Sequence, residues 1–340
     1  MKLTVHFVTW NSAQYVPRLF ESLRGQTYTD WKLFVWDNNS SDGIVDAIKK
    51  EVQDFPVPFE IMEHADNVGF SGGHNSLYKK TDSEYFLLLN PDLYLQPDCF
   101  EKLVAFLDKN KDVAAVSPRL MKWHFEKLEE GLEKSFSSTI DSLGLQAFRS
   151  GRVIEQYTGC DWADVASTLS GEENILEVFG LAGTFPLLRR KSIDEIVFSD
   201  GTFLDESYGS YKEDVDLAFR MQSAGQRNMV LLDTVAYHAR ATGGPKGMSD
   251  IDALKNKRGE HSRWVKDHSY KNHLMTLYKN FYWQNLLLDF FWIKWYEVKK
   301  FVYFLLFDRA VLKGLGEVWK LRGVLKEKRK QIISKRRVSW

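Results

Sequence analysis

The sequence predicts an α/β fold in which a mainly parallel central sheet is flanked by helices. Three segments of the first third are β-rich or apolar, and each ends on a polar loop: Leu3–Thr9, Lys32–Trp36 and Tyr85–Leu89. Helical patterns lie between or after them, at Val16–Leu23, Ile44–Phe55 and Phe100–Lys109. Strands that alternate with helices favour parallel pairing with helices on both faces. Because ligands bind beyond the carboxyl ends of such strands, the polar loops there form the candidate site.

The middle of the chain is less regular than its beginning. Residues 121–173 are polar and loop-like with helical patches, whereas order is predicted at Glu177–Arg190, with a helix at Glu213–Ala224 and a strand at Met229–Leu232. The stretch Ala241–Asp252 is rich in Gly, Pro and polar residues. This composition predicts a mobile loop of the kind that forms a lid.

Composition indicates a globular protein of a reducing compartment. The chain has 340 residues, of which 44% are hydrophobic and 27% charged, as in folded domains. Its two cysteines, Cys99 and Cys160, are too few for a disulfide framework and lack metal-ligand spacing. The first residues alternate like a strand and are too short and polar for a signal-peptide core. We therefore expect a cytosolic location without export.

The C-terminal segment is basic and aromatic. Residues 294–340 carry fourteen Lys or Arg and four acids, a net charge of +10, so residues 1–293 carry −10. Charged residues interrupt every apolar window of about 20 residues, the length that a membrane span requires. Lysines beside Trp and Phe in Phe281–Phe307 instead predict an amphipathic helix at a membrane interface. The alternative is a helix that packs on the catalytic domain with a solvated basic face.

Short polar side chains end the first two predicted strands. Thr9 and Asn11 close the first, and Asp37 and Asn39 close the second. A carboxylate or amide at such a position can bind a ring N–H or the hydroxyls of a nucleoside. The Asp-Asn-Asn-Ser sequence is also ordinary turn chemistry, so the motif indicates a nucleotide site only in combination with others.

A glycine-rich motif follows at residues 67–75. It contains Asn67, Gly69 and Asn75, and its glycines resemble a loop whose backbone N–H groups approach a phosphate closely. Its spacing is neither that of the dinucleotide fingerprint nor that of a P-loop. We nevertheless expect these three residues to contribute to nucleotide binding.

Acidic residues at two further places favour metal and proton chemistry. The apolar strand Tyr85–Leu89 ends in Asn90-Pro91-Asp92, and Mg²⁺ or Mn²⁺ needs only one or two side chains besides substrate phosphates, so we predict Asp92 as a metal ligand. Glu213, Asp214 and Asp216 begin a helix downstream of Asp205 and Glu206. The helix dipole accounts for one or two such acids but not for the whole cluster, which indicates a site.

Within that cluster Asp214 is the predicted general base. A hydroxyl group that attacks an anomeric carbon needs one carboxylate within hydrogen-bonding reach to take its proton. His238 follows a predicted strand and precedes the glycine-rich stretch. A single histidine is more often structural, but at this edge His238 could complete a metal site.

Taken in order, these segments resemble the family 2 glycosyltransferases of the GT-A fold, and among them the rhamnosyltransferase branch. The resemblance covers nearly the whole chain, including three further segments: Thr139–Gly144, Glu177–Gly180 with Arg189-Arg190, and Asn272–Phe281. It implies residues 1–118 as the nucleotide-sugar-binding half, residues 119–265 as the acceptor-binding and catalytic half, and residues 266–340 as a helical tail for membrane association.

The resemblance also implies chemistry for the individual residues. A divalent ion, Mg²⁺ or Mn²⁺, would bridge the donor diphosphate at the Asn90–Asp92 corner, where many relatives have Asp-x-Asp, with His238 as a further ligand. Asp37 and Asn39 would contact the nucleotide, and Asp214 would be the base of a single, inverting displacement. The expected donor is dTDP-L-rhamnose, and the expected acceptor a lipid-linked or cell-surface glycan, extended at the cytoplasmic face of the cell membrane.

Three alternative functions can be weighed from the sequence. The same fold could use a UDP-hexose or UDP-galactofuranose, because fold analogy does not fix the donor. Nucleotidyl transfer would require a basic glycine-rich loop near residue 10, and Trp10-Asn11-Ser12-Ala13 lacks one. A nucleic-acid-binding role for Lys326–Arg337 leaves the acids of residues 205–216 without a function, so we expect no nucleic-acid partner.

Overall fold

A computed structural model describes residues 1–169, 174–240 and 263–338, with the backbone alone described at 263–267. The predicted lid, Ala241–Asp252, lies outside the described residues. None of the helices in the described ranges combines the length and the apolar character needed to cross a lipid bilayer.

The described chain alternates strands and helices through its first 110 residues. The strands are β1 Leu3–Thr9, β2 Trp31–Asp37, β3 Phe59–Glu63, β4 Tyr85–Leu89, β5 Leu93–Leu95, β6 Val113–Trp123, β7 Phe136–Ser142, β8 Leu145–Ala147, β9 Val153–Glu155, β10 Ile175–Val178, β11 Leu187–Arg189 and β12 Arg227–His238. The helices are α1 Val16–Arg24, α2 Ile44–Glu51, α3 Gly69–Lys80, α4 Cys99–Lys109, α5 Leu132–Ser135, α6 Trp162–Ala166, α7 Arg190–Asp194, α8 Glu213–Ser223, α9 Arg263–Asn280, α10 Trp283–Leu288, α11 Phe290–Phe307 and α12 Lys313–Ser334.

Within the described ranges, ten strands form one mixed sheet. Its order is β10-β12-β6-β11-β4-β1-β2-β3, with β5 paired to β12 and β7 paired to β6. Strands β1 to β4 are parallel, and β12 is parallel to β6, whereas β11 is antiparallel to both β4 and β6. The direction of winding reverses at β1, between β4 and β2, which is where open α/β sheets bind ligands.

Both faces of the sheet are buried. Along β4, Leu87 and Leu89 point into one core together with Val5 and Phe100, while Phe86 and Leu88 point into a second core with the residues of α8. Successive side chains of a strand point to opposite faces, so a strand buried on both sides reads as a continuous apolar run. This accounts for the Tyr85–Leu89 pattern, and it confirms the predicted α/β class.

The predicted strands and helices of the first third are confirmed with small shifts at their ends. Helix α2 ends at Glu51 rather than Phe55, and β12 runs from Arg227 to His238 rather than over four residues. Strand β12 is longer than its sequence indicates because β6 pairs along most of its length, while β10 and β5 pair with successive parts of it. Strand β6 crosses residue 118 without interruption, so the two predicted halves share one sheet.

The glycine-rich residues 67–75 do not form the loop that their sequence predicts. These residues form the first turns of α3, and a Cβ atom on Gly73 would lie 2.7 Å from Cγ1 of Val8 and 3.0 Å from Cδ1 of Trp36. The glycine at this position therefore lets α3 approach β1 and β2 closely. Close helix–sheet packing therefore accounts for the glycine at position 73.

The C-terminal helices α9 and α12 pack on the sheet domain through a buried ion cluster. Lys279 of α9 contacts the carboxylates of Asp205 and Asp216, and Lys328 of α12 lies 2.6 Å from Asp205. Arg220 pairs with Asp216 at 3.1 Å. The interpretation of Asp205 and Asp216 as site residues is therefore wrong, because both carboxylates are fully buried and bound to cations of the protein itself.

Candidate active site

The carboxyl ends of β1, β2 and β4 place three predicted site residues along one edge of the sheet. Thr9 and Asp37 are direct partners in the parallel register of β1 and β2. Phe7 pairs with Leu89, the last residue of β4, so Asn90 emerges beside the end of β1. This edge lies at the point where the winding reverses.

Hydrogen bonds join the loops that follow β1 and β2. The Asn11 side-chain oxygen accepts a bond from the Ser41 amide at 2.8 Å, and the Asn11 amide donates to Ser40 Oγ at 2.9 Å. Asn11 and Asn39 both adopt positive φ, 49° and 60°, which asparagine tolerates better than most residues. Asn39 is exposed at the tip of the second loop, whereas Thr9 is buried beneath it.

Asp37 is the residue of this edge with unused hydrogen-bonding capacity. Its Oδ2 atom accepts a bond from the Ser40 amide at 3.0 Å, while Oδ1 is buried without a partner among the described residues. A buried carboxylate oxygen of this kind is costly unless a ligand or water satisfies it. Asp37 is therefore poised to accept a hydrogen bond from a ligand.

Asn38, which was not among the predicted site residues, connects this edge of the sheet to the start of α3. Its side-chain oxygen accepts bonds from Trp36 Nε1 and the Val68 amide, and its Nδ2 donates to the Gly69 carbonyl at 3.2 Å. Asn67 accepts a bond from the Gly69 amide at 2.9 Å and is exposed. Asn67 and Gly69 thus border the site as a helix start, with φ of Gly69 at 74°.

Asn75 has a structural role that its predicted place in a phosphate loop did not indicate. Its Nδ2 atom donates to the Leu204 carbonyl and to Glu206, each at 2.9 Å. Its Oδ1 atom accepts bonds from the amides of Phe203 and Leu204. Because the buried amide is occupied by segment 203–206, we leave Asn75 out of the proposed donor site.

Asp92 and His238 meet above the carboxyl ends of β4 and β12. The Nε2 atom of His238 lies 3.2 Å from Asp92 Oδ2, and its Nδ1 atom lies 2.8 Å from Asp141 Oδ2. Although burial by itself lowers the pKa of His238, the charge of Asp92 and the hydrogen bonds to Asp141 and Asp92 raise it to about 10. The imidazole is thus held between two carboxylates, of which Asp141 orients the ring.

This arrangement fits a divalent ion with few protein ligands. Carboxylate oxygens suit Mg²⁺ and Mn²⁺, and a histidine ligand is characteristically oriented by a carboxylate on its other nitrogen, as Asp141 orients His238. Across the described ranges, no group of three or more acidic, histidine or cysteine side chains is arranged to hold a metal ion by itself. Asp92 and His238 could therefore hold an ion whose remaining ligands come from a substrate or water.

Arg240 and Glu155 connect this centre to the second half of the chain. Arg240 contacts Asp141 at 2.9 Å and Glu155 at 2.5 Å. Burial raises the pKa of Glu155, and the nearby negative charges of Asp141 and Asp214 raise it further, while Arg240 opposes them. The charges of four side chains are therefore linked in one cluster: Asp141, Glu155, Asp214 and Arg240.

Asp214 lies in the first turn of α8. Residues 183–184, here called the strap, link it by hydrogen bonds to the Asn90–Asp92 corner. The Gly183 amide donates to Asp214 Oδ2 at 3.2 Å, and the next residue, Thr184, accepts a bond from the Asn90 amide through its carbonyl. The Val215 amide donates to Asp214 Oδ1 at 2.7 Å. Burial raises the pKa of Asp214 despite these backbone bonds.

Glu213 is buried beside Asp214. Burial, together with the charge of Asp214, raises the pKa of Glu213 to about 8. Its Oε2 atom has no hydrogen-bond partner among the described residues. Of the acids predicted at the start of α8, Glu213 and Asp214 thus keep unfilled capacity, whereas Asp216 belongs to the ion cluster.

The family model described as glycosyl transferase family 2 matches residues 4–197, which include β1 to β4 and the Asn90–Asp92 corner. The chain belongs to glycosyl transferase family 2. Among curated relatives, an uncharacterized glycosyltransferase of Haemophilus influenzae is 25% identical over 118 residues, 35% of this chain and 36% of the relative. The uncharacterized glycosyltransferase YfnE of Bacillus subtilis is 20% identical over 273 residues, 74% of this chain and 68% of the relative.

Two solved structures show that this family 2 chain has the GT-A fold. GalNAc-T7, crystallised with UDP, GalNAc and Mn²⁺, superimposes with a TM-score of 0.58 at 11% identity, over 82% of this chain and 48% of that protein. The mannosyltransferase PcManGT of Pyrobaculum calidifontis, in complex with GDP-Man and Mn²⁺, superimposes with a TM-score of 0.51 at 15% identity, over 98% of this chain and 85% of that one. This chain thus spans about a third of the Haemophilus relative and half of GalNAc-T7.

Besides Asn38, four residues of the site were not predicted from the sequence: Asp141, Gly183, Arg240 and Glu155. The Thr139–Gly144 segment drew attention only as part of the family resemblance, with no role for its acid. The missing signal is spatial, since Asp141 reaches His238 across 97 positions of sequence.

Proposed function

We propose that this chain is an inverting glycosyltransferase that moves L-rhamnose from dTDP-L-rhamnose to a hydroxyl group of a lipid-linked or cell-surface glycan. The observation that carries the proposal is the strap at residues 183–184, which hydrogen-bonds Asp214 on one side and Asn90 on the other. The strap thus places Asp214, which can accept a proton, next to the Asn90–Asp92 corner, which would hold a metal-bound diphosphate. Family membership supports the same reaction class.

Asp92 and His238 would hold Mg²⁺ or Mn²⁺, with Asn90 beside them on the donor. The bound ion would supply charge neutralisation for the diphosphate leaving group. Asp141 keeps Nδ1 of His238 occupied, so that Nε2 faces Asp92. The Mn²⁺ in both similar structures, GalNAc-T7 and PcManGT, supports this proposal.

Asp214 would take the proton from the attacking acceptor hydroxyl group. Its two carboxylate oxygens are oriented by the amides of Gly183 and Val215, and each oxygen retains a second lone pair for the acceptor. A raised pKa strengthens a carboxylate as a base. Direct displacement needs only one carboxylate to act as the base, and it inverts the anomeric centre.

Asp37 would read the base of the donor nucleotide through its free Oδ1 atom. Thymine has a ring N–H that can donate a hydrogen bond to a carboxylate oxygen. Asn11 and Asn39 lie in the adjoining loops, within the region expected to bind the ribose. Uracil presents the same N–H group. A UDP-sugar is therefore the second candidate donor, and the UDP bound to GalNAc-T7 favours retaining it.

The acceptor places the reaction at the cytoplasmic face of the cell membrane, where we propose that the C-terminal helices associate with an anionic lipid surface. The aromatic and basic character of residues 281–307 supports this location. A glycan built on a lipid carrier would then be presented close to the site.

The proposal is tested by measuring turnover of dTDP-rhamnose, UDP-galactose, UDP-galactofuranose and GDP-mannose with Mn²⁺, Mg²⁺ or a chelator. Metal-dependent release of dTDP that is lost in Asp92→Ala and Asp214→Asn, but kept in the surface variant Asp46→Asn, is the expected result. Turnover of a UDP-sugar alone would replace the donor and retain the reaction. If none of the donors bound in a metal-dependent way, the enzyme assignment would be refuted.

A further inference from the structure

The helices α10 and α11 carry a large apolar surface that nothing in the described structure covers. We define the α10–α11 face by Leu287, Phe291, Trp295, Val298, Val302 and Leu306, of which Phe291 is 84% exposed and Trp295 64%. From Phe291 onward these residues recur every three or four positions and therefore lie on one side of the helix. Monomeric soluble proteins rarely expose contiguous apolar patches larger than roughly a few hundred Å², so such a row of exposed apolar side chains indicates a binding surface.

The inner side of α11 is fixed to α9. Ile293 and Phe304 are buried, Phe304 packs on Tyr270, and Glu297 pairs with His273 at 2.6 Å. Tyr270 and His273 both belong to α9, which the buried Lys279 attaches to the sheet domain. The α10–α11 face is therefore presented on a supported helix with a defined outward side.

The basic C-terminal residues, by contrast, are largely engaged within the protein. Lys328 binds Asp205 at 2.6 Å, Arg336 donates to the Asn280 carbonyl at 2.8 Å, and Arg337 pairs with Glu195 at 3.0 Å. Arg329 donates to the Phe281 carbonyl. Residues 326–337, here called the basic segment, thus include the end of α12 and several cations that bind neighbouring elements.

We infer that the α10–α11 face enters the interfacial region of a lipid bilayer, and that this apolar contact, rather than the basic segment, attaches the protein to its membrane. The inference rests on the membrane association proposed above and names the surface responsible. The partner of the α10–α11 face is the region of the bilayer where the lipid headgroups meet the acyl chains.

The charge distribution on α11 favours lipid over a second copy of the chain. The acids near the face are turned toward the protein, Glu297 to His273 and Asp289 to Arg149 at 2.6 Å. Two of the three lysines of α11 lie beside aromatic rings near the face, Lys294 5.9 Å from the Phe290 ring and Lys299 5.7 Å from the Trp295 ring. The third, Lys300, lies over Tyr270 of α9. Lysine is depleted in protein–protein interfaces, whereas Trp with snorkelling Lys is characteristic of the membrane interface.

The two modes of attachment differ in their response to salt. Contacts between exposed charges weaken when salt rises from about 0.1 M to about 1 M, because the Debye length falls from about 10 Å to about 3 Å. Apolar burial does not weaken in this way. Binding through the α10–α11 face should therefore persist at high salt and extend to lipids without net charge.

The experiment is co-sedimentation of the full chain with vesicles of phosphatidylcholine alone or mixed with phosphatidylglycerol, at low and high salt. The double variant Phe291→Glu/Trp295→Glu is compared with Lys326→Glu/Lys330→Glu, which alters exposed charges of the basic segment. We expect the first variant to lose tenfold or more in affinity for both vesicle types, and the second to change affinity less than threefold. Circular dichroism and thermal unfolding establish that both variants fold.

Two outcomes would overturn the inference. Binding that requires phosphatidylglycerol, disappears at high salt and is lost in Lys326→Glu/Lys330→Glu would assign attachment to the basic segment. A dimer in analytical ultracentrifugation that Phe291→Glu/Trp295→Glu abolishes, without vesicle binding by the native chain, would assign the face to a second copy. Donor hydrolysis measured without vesicles separates either outcome from failure of the proposed glycosyl transfer.

Discussion

The Nζ atom of Lys279 lies 2.9 Å from Oδ1 of Asp216, and both side chains are fully excluded from solvent. The same ammonium group contacts Asp205, which Lys328 of α12 also binds. Although burial by itself raises the pKa of Asp205, the charges of Lys279 and Lys328 lower it below its ordinary value. Asp205 therefore stays ionised at neutral pH, and its two lysine partners connect both C-terminal helices to the sheet domain.

Removal of this buried cation should destabilise the whole protein. Lys279→Met leaves two buried carboxylates incompletely compensated, and we expect the free energy of unfolding to fall by about 3–5 kcal/mol in urea titrations. The matched control is Lys320→Met on the exposed side of α12, where we expect a change below about 0.5 kcal/mol. Equal effects of the two substitutions would show that the cluster contributes nothing specific.

Replacement of the predicted base should remove turnover without removing the donor. Asp214→Asn preserves the shape of the side chain but cannot accept the proton of the acceptor, so kcat should fall by about 10²–10⁴-fold. The dissociation constant of the donor, measured by calorimetry, should change little. Asp46→Asn, a first-turn acid of α2 exposed to solvent, serves as the control. A full rate in Asp214→Asn would exclude it as the base.

Asp141 should act through His238 as a positioning residue. Asp141→Asn weakens the orientation of the imidazole, and we expect the affinity for Mn²⁺ in the presence of nucleoside diphosphate to fall by about 10–100-fold. Because the ligands themselves remain, kcat should recover at saturating Mn²⁺. Calorimetric titration measures the affinity, with Asp164→Asn on exposed α6 as the control. A loss of kcat that metal does not restore would assign Asp141 a direct catalytic role.

Burial of Glu213 should make stability depend on pH. Its pKa is raised to about 8, so between the ordinary value of 4.5 and about 8 the folded chain holds a proton that the unfolded chain has lost. The contribution of Glu213 to the free energy of unfolding therefore falls as pH rises through this window, by up to about 1.4 kcal/mol per pH unit for one proton. Glu213→Gln should remove this contribution to the pH dependence of the free energy of unfolding. Parallel pH curves for the two proteins would mean that Glu213 is ionised when folded.

Two helical glycines should respond oppositely to alanine. In Gly73→Ala the new methyl group meets Val8 at 2.7 Å, and we expect destabilisation by about 1–3 kcal/mol. In Gly323→Ala on α12 nothing lies within 4 Å, so the gain in helix propensity should stabilise the protein by about 0.5–1 kcal/mol. Thermal unfolding measures both. Stabilisation by both substitutions would show that α3 does not need close contact with β1.

Local patterns in the sequence predicted much of the first third of the fold and the sheet edge at which the candidate site lies. Apolar runs and helical periodicity define β1, β2, β4, α1, α2 and α4, because burial on both faces of a parallel sheet leaves a direct trace in neighbouring residues. Asp37 and Asp92 follow from the same logic, since parallel strands bring their carboxyl ends to one edge. The family 2 resemblance added the order of the motifs.

Only the tertiary structure decided how residues distant in sequence combine. The glycines of residues 69–73 read as a loop because the sequence does not show that β1 lies against them. Asp205 and Asp214 are both acids near α8, yet one is neutralised by Lys279 across 74 positions and the other is held by Gly183 across 31. Which charge remains available for chemistry depends on such long-range partners and on burial, and neither is encoded by spacing along the chain.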